Sequence, residues 1–100
     1  MDQAFEQLIN SEKPVLIDFY LPACTPCEKL VPVLDSVKQS LGSRIKIVTV
    51  DVNKHNDLAV IHQIRYVPTV VLFQRGKKLW QQSGWLSKAE IIGNILQEAN

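Results

Sequence analysis

The sequence predicts an α/β chain in which a mixed sheet carries helices on both faces. Two observations lead there. Segments with strand character alternate with segments of helical period in the order α-β-α-β-α-β-β-α. The first strand candidate, Val15-Leu16-Ile17-Asp18-Phe19-Tyr20, is almost wholly apolar, as expected of a strand covered on both sides. A right-handed crossover would make the first two strands parallel, and the last two read as a hairpin.

Each element has its own local signals. Asp2 can cap a short helix in which Phe5, Leu8 and Ile9 share a face. Asn10 to Pro14 breaks the chain before the strand Val15–Tyr20, and Pro22 to Pro26 is a loop. A helix is expected from about Thr25 to Leu41, with Leu30, Val33, Leu34, Val37 and Leu41 as its apolar stripe. Pro26 suits its first turn, Pro32 should kink it, and Gly42 ends it. Ile45 to Val52 alternates and is β-branched, which predicts the second strand. Asn56 or Asp57 can start a short helix through His62. Pro68 precedes a third strand, Thr69 to Phe73; Arg75-Gly76 turns the chain into a fourth, Lys78 to Ser83, which Gly84 breaks. Ser87-Lys88-Ala89-Glu90 has the form of a capping box, and Ile92, Ile95, Leu96 and Ala99 are expected to be the buried face of the last helix. Gly93, inside that helix, suggests close packing.

At 100 residues the chain is too short to split into two cores, so residues 1–100 are read as a single domain. Eleven basic and ten acidic side chains give a net charge of +1, which offers no electrostatic argument for nucleic acid or an anionic membrane. Lys77-Lys78 follows Gly76 and reads as a turn rather than a basic patch. No stretch approaches the ~20 apolar residues of a membrane span. Met1-Asp2-Gln3-Ala4-Phe5-Glu6 has acids and no apolar run, so it does not read as a signal peptide, and the expected compartment is the cytoplasm.

Two residues separate the only cysteines, in Cys24-Thr25-Pro26-Cys27. A reducing compartment makes such a pair catalytic or metal-binding rather than a structural staple. Zinc takes four ligands, and only His55 and His62 could complete a set, with no second pair of cysteines; no metal is expected, and both histidines read as solvated residues flanking a helix. At a helix start, unpaired N–H groups and the positive dipole end favour a thiolate, which suits dithiol–disulfide exchange. Asp18 is an acid within an apolar strand, and burial there should raise its pKa.

These residues together resemble the thioredoxin family over nearly the whole chain. The match rests on Val15-Leu16-Ile17-Asp18-Phe19-Tyr20, the Cys24-x-Pro26-Cys27 motif, Pro32, Val50-Asp51-Val52-Asn53, Val67-Pro68-Thr69, Gly76 and Gly84. The resemblance implies a thioredoxin-like fold and a thiol–disulfide oxidoreductase that reduces protein disulfides. It makes Cys24 the nucleophile, Cys27 the resolving thiol and Asp18 the group that takes or supplies the proton of Cys27 through water. Pro68 would be held in cis, facing the thiols, with the Val67 backbone free to pair with an extended substrate segment. Ala23, Thr25, Pro26, Val67, Gly84 and Trp85 would form the substrate surface. It implies no bound cofactor beyond the redox-active Cys24–Cys27 disulfide, protein disulfides as substrates, a thioredoxin-reductase-type electron donor, and a monomer.

The departures from the family pattern are specific. Only 13 residues precede Pro14. The family's extra N-terminal strand therefore has little room, and four strands are expected in the spatial order second, first, third, fourth. Ala23 stands where the family usually has tryptophan, Tyr20 where another is common, Thr25 where glycine is usual, and Glu28 where a base is common. Thr49 stands where a lysine often neighbours the acid on the adjacent strand. Without that cation, Asp18 is expected to titrate near or above neutral pH. Trp85 is expected either to supply the aromatic platform missing at Ala23 or to pack beneath the last helix. Two other activities fit the same motif. One is a non-catalytic thioredoxin-like module that binds partners through this groove. The other is a glutaredoxin-type, glutathione-dependent activity, although that group more often has an aromatic between its cysteines.

Overall fold

A computed structural model describes residues 3–100; the cap expected at Asp2 lies outside the described residues. Helix α1 (Gln3–Ile9) leads to β1 (Val15–Tyr20), α2 (Thr25–Leu41) and, after a single 3₁₀ turn at Gly42–Arg44, β2 (Lys46–Asp51). Then come α3 (Asn56–Ile61), β3 (Thr69–Gln74), β4 (Lys77–Ser83) and α4 (Lys88–Glu98). The four strands form one mixed sheet in the order β2-β1-β3-β4. β1 runs parallel to β2 and antiparallel to β3, and β3 and β4 form a hairpin.

Alternation along β1 divides the core in two. Leu16 faces the layer built by Leu30, Leu34, Val37 and Leu41 of α2 and by Ile91 and Ile95 of α4. Val15, Ile17 and Phe19 face the other layer, with Phe5 and Ile9 of α1 and Leu58 of α3. Both faces of β1 and β3 are covered, which is why these strands are continuous apolar runs. Each fully buried aliphatic or aromatic side chain contributes roughly 1.5–3 kcal/mol from its removal from water.

Local chemistry sets the boundaries. α2 ends where Gly42 takes φ +56° and its N–H donates to the Lys38 carbonyl. The ammonium of Lys38 donates to the carbonyls of Gly42 and Ile45, at 2.9 and 2.6 Å, and so satisfies oxygens that the helix leaves open. The helix continues through Pro32, which lies on its exposed side. The two-residue turn between β3 and β4 has positive φ at both Arg75 and Gly76, the mirror-image turn that matches strand twist. At the start of α4, Ser87 and Glu90 bond reciprocally as a capping box.

Four expectations need correction. The buried face of α4 is Ile91 and Ile95; Ile92 is partly buried, Leu96 is 62% exposed, and Ala99 lies beyond the helix end. The four-residue step from Ile91 to Ile95 puts the stripe one position earlier than the step chosen from sequence. Gly93 is exposed, and a Cβ there would meet nothing within 4 Å, so close packing does not account for it. His62 is not solvated. Its ring packs against Phe5 and Phe73, with centroids 5.2 and 5.3 Å away. Finally, β2 is one residue shorter at each end than expected, β3 one residue longer at its C-terminus, and β4 one residue longer at its start.

Gln74, buried at the end of β3, forms a polar clamp that no local motif signals. Its amide nitrogen donates to the carbonyls of Glu12 and Asn100, and its oxygen accepts from the Asn100 N–H. The clamp ties the chain's last residue and the loop before β1 to the end of β3.

Candidate active site

The sheet order gathers the chain's unusual residues at one end. The loop after β1 carries the cysteines there. The antiparallel register of β1 and β3, with Phe19 opposite Thr69, brings Pro68 to the same edge. Ser83 lies opposite Thr69, and the next residue, Gly84, donates its N–H to the Pro68 carbonyl at 2.9 Å. The Val67–Pro68 bond is cis. Behind it Thr69 is fully buried; its hydroxyl shares a 2.7 Å hydrogen bond with that of Ser83 and donates to the Tyr66 carbonyl.

Cys24 is the N-cap of α2, with extended backbone, and Cys27 sits one turn in. They form a disulfide with Cα atoms 5.2 Å apart. The Sγ of Cys24 accepts a hydrogen bond from the Cys27 N–H at 3.2 Å. Opened by reduction, that sulfur would face the first N–H groups of the helix, the setting that holds a thiolate. Cys24 is half-buried, whereas Cys27 is only 4% exposed, so the two sulfurs are unequal in access. Pro26 takes the second position of the helix, where no backbone N–H is needed. Thr25 and Pro26 are exposed beside the disulfide. Ala23 has φ +56°, an unfavourable region for a residue with a Cβ, and this bend turns the loop into the cap. No composition signal marks it, because alanine is not a residue chosen for that conformation.

Asp18 is 2% exposed, and its Oδ1 has no hydrogen-bond partner in the described protein. Burial pushes its carboxyl up from 3.8 to about 6, the direction expected from sequence, to a value just below neutrality. Thr49 lies opposite it in the β1–β2 register and brings no charge. A depression of about 290 Å³ brings Asp18, Cys27, Ala23, Glu28 and Thr49 together. Val31, 48% exposed, also lines it, and sequence reading missed it; one helical turn after Cys27 was the available signal.

Val67, Gly84 and Trp85 gather around Pro68, through the cis Val67–Pro68 bond and the Gly84 N–H that donates to the Pro68 carbonyl. Trp85 is 58% exposed and does not line the depression. It therefore does not pack beneath α4; Leu86, the next residue, is fully buried there instead. No group of three or more His, Cys, Asp or Glu side chains among the described residues is placed to hold a metal ion. Among the described residues no helix is long and apolar enough to cross a membrane.

The disulfide thus caps a helix that packs on the sheet behind it, at the end of the fold that also carries the cis proline. The thioredoxin family model matches residues 1–97, and the chain belongs to that family. It is 39% identical over 93 residues to chloroplastic thioredoxin Y of Oryza sativa, covering 92% of this chain and 55% of that protein. A thioredoxin-like protein of Synechocystis is 38% identical over 90 residues, with 90% of this chain and 86% of the relative covered. The chain thus spans about half the length of the plant relatives it matches and most of the cyanobacterial one. The crystal structure of Malassezia sympodialis thioredoxin superposes with a TM-score of 0.86 at 28% identity, over 98% of this chain and 85% of that one.

Proposed function

We propose that this protein reduces disulfide bonds in other proteins by dithiol exchange, as a monomeric single domain over residues 1–100. The observation that carries this reading is the Cys24–Cys27 disulfide at the cap of α2, one sulfur accessible and the other buried beside Asp18. The thiolate of Cys24 attacks a substrate disulfide, forms a mixed disulfide and expels one substrate thiolate. Cys27 then gives its proton to Asp18, through water, and attacks the sulfur of Cys24. The second substrate thiolate leaves and the Cys24–Cys27 disulfide re-forms. The substrate has gained two electrons, and a donor must return two to the cystine. Above about pH 6 Asp18 is ionised and able to accept that proton.

Ala23, Thr25, Pro26, Val67, Gly84 and Trp85 form the proposed substrate surface around Cys24, with exposed Trp85 as the aromatic that Ala23 does not provide. Pro26 between the cysteines favours the reducing direction, by resemblance to reducing members of the family. The electron donor is of the thioredoxin-reductase type, flavin- and NADPH-dependent. The proposed compartment is the cytoplasm, where a dithiol cycles rather than persisting as a staple, and electron transport to substrate disulfides is the proposed role. The near balance of charge supports neither nucleic acid nor a membrane surface as a partner.

Insulin reduction driven by dithiothreitol tests the proposal. The wild type should accelerate it and Cys24→Ser should abolish the acceleration; equal rates from the two would sink it. Cys27→Ser should stall at the mixed disulfide and retain its partners covalently.

A further inference from the structure

Asp18 is the meeting point of two depressions. Besides the one beside Cys27, a second of about 230 Å³ is lined by Asp18, Leu34, Asp35, Lys38 and Thr49. Asp18, Val31 and Thr49 line both, so the two form one groove between α2 and β2 with a buried carboxyl in its wall. The charges facing Asp18 are unbalanced. α2 contributes Glu28, Asp35 and Lys38; β2 contributes neutral Ile47 and Thr49; β1 contributes the phenol of Tyr20. The ammonium of Lys38 is committed to the carbonyls of Gly42 and Ile45. Three carboxyls therefore share the groove with no uncommitted cation among its lining residues. Asp18 lines both depressions, and its Oδ1 is buried without a hydrogen-bond partner in the described protein.

We propose that this groove receives a lysine or arginine side chain of the protein whose disulfide is under attack, its cationic end beside Asp18. The inference rests on the disulfide-reductase reading above. Its geometry suits such a side chain. Leu21, Pro22 and Val31 offer apolar surface to the methylene stem, and the buried Asp18 lies in the same lining. Ala23, the residue before Cys24, and Thr49 are small, exposed residues of its lining. A substrate joined to Cys24 is held one residue from Ala23 of that lining. The groove is then a specificity determinant: substrates with a base near the attacked cysteine hold Asp18 ionised, and by linkage an ionised Asp18 holds them.

The test joins Cys27→Ser protein through Cys24 to short cysteine peptides. Each carries one lysine at successive positions on either side of the cysteine, and matched peptides carry norleucine instead. The readout is the carboxyl-carbon chemical shift of Asp18 against pH. For at least one position the lysine peptide should lower the Asp18 midpoint by about one pH unit relative to norleucine. Thr49→Lys, which fills the groove from within, should lower it in the free protein and erase the difference between peptides. Identical midpoints for lysine and norleucine at every position overturn the proposal. So does n-butylammonium at the same concentration lowering the midpoint as far as the tethered lysine, since the groove would then take free amines. Failure of insulin reduction by the wild type is a separate result, which counts against the disulfide-reductase reading and not against the groove.

Discussion

Thr49 lies directly opposite Asp18 in the parallel pairing of β1 and β2, so a buried carboxyl faces a short neutral side chain across the strand pair. Burial without a compensating cation leaves desolvation to set the titration of Asp18, and desolvation favours the neutral acid. The same arrangement sets a cost in stability and a pH at which that cost appears.

Asp18→Asn should stabilise the protein above pH 6. The folded state holds the Asp18 proton up to about pH 6, whereas the unfolded chain releases it near 3.8. Between those values the folded state binds more protons, so stability falls as pH rises through the window and stays lower above it. A rise of about two pH units corresponds to about 3 kcal/mol, the upper bound on the gain from Asp18→Asn at pH 7.5. Urea unfolding of both proteins at pH 7.5 and below pH 4 checks this, since the gap should close in acid. A gap that persists below pH 4 assigns the effect to packing instead.

His62 works with the opposite sign. Burial, then the charge of Lys78, lowers its pKa in the folded state, with Glu6 opposing. Its Nε2 is buried without a hydrogen-bond partner in the described protein, between Phe5 and Phe73. The neutral ring is the form that fits. Its contribution is complete above pH 6.5 and is lost as pH falls through the unfolded value toward the lower folded one. His62→Phe should therefore remove a downward bend in stability below pH 6.5. The bend should be read in an Asp18→Asn background, where the opposing carboxyl titration is absent.

Much of this arrangement was legible in the sequence because each boundary carried its own chemistry. Ser87 and Glu90 marked one helix start, Arg75-Gly76 marked the hairpin, and the apolar run Val15–Tyr20 could only be a strand covered on both faces. The order of the strands followed from the crossover and the hairpin. What stayed hidden depends on tertiary neighbours. Which isoleucine of α4 points inward depends on how the helix is rotated against α2. The packing of His62 against Phe5 joins segments far apart in the chain. Gln74 fell outside the strand expected to end at Phe73, and its partners, Glu12 and Asn100, lie far from it in the chain. Trp85 and Val31 became surface features only once Leu86 and Leu34 had filled the core beside them.

The rotation of α4 can be measured directly. Ile91 and Ile95 are buried while Leu96 is exposed. Ile91→Ala should cost about 2–5 kcal/mol, as large-to-small changes in a core do. Leu96→Ala should stay within about 0.5 kcal/mol of the wild type. Chemical denaturation of the two variants distinguishes the faces, and a larger loss for Leu96→Ala would overturn the rotation.

Gly93 offers a gain. It lies inside α4 with nothing near the position of a Cβ. Alanine there should remove a flexible residue from the unfolded chain without a clash, stabilising by about 0.5–1 kcal/mol. The melting temperature of Gly93→Ala should rise and its rate of insulin reduction should not change, since α4 packs on the face of the sheet rather than at the end that carries the disulfide. An unchanged or lower melting temperature would mean that the glycine serves a backbone contact this packing does not include.

Trp85 separates docking from folding. Its side chain is mostly exposed, one residue after the Gly84 N–H that bonds to Pro68. Trp85→Ala should leave stability within about 0.5 kcal/mol, as exposed positions do. If the indole is the platform on which a substrate protein rests, the same change should slow insulin reduction several-fold. Reduction of a small disulfide such as bis(2-hydroxyethyl) disulfide needs no platform and should be left alone. Equal slowing of both would place the effect on the chemistry of Cys24, and no slowing of either would remove Trp85 from the substrate surface.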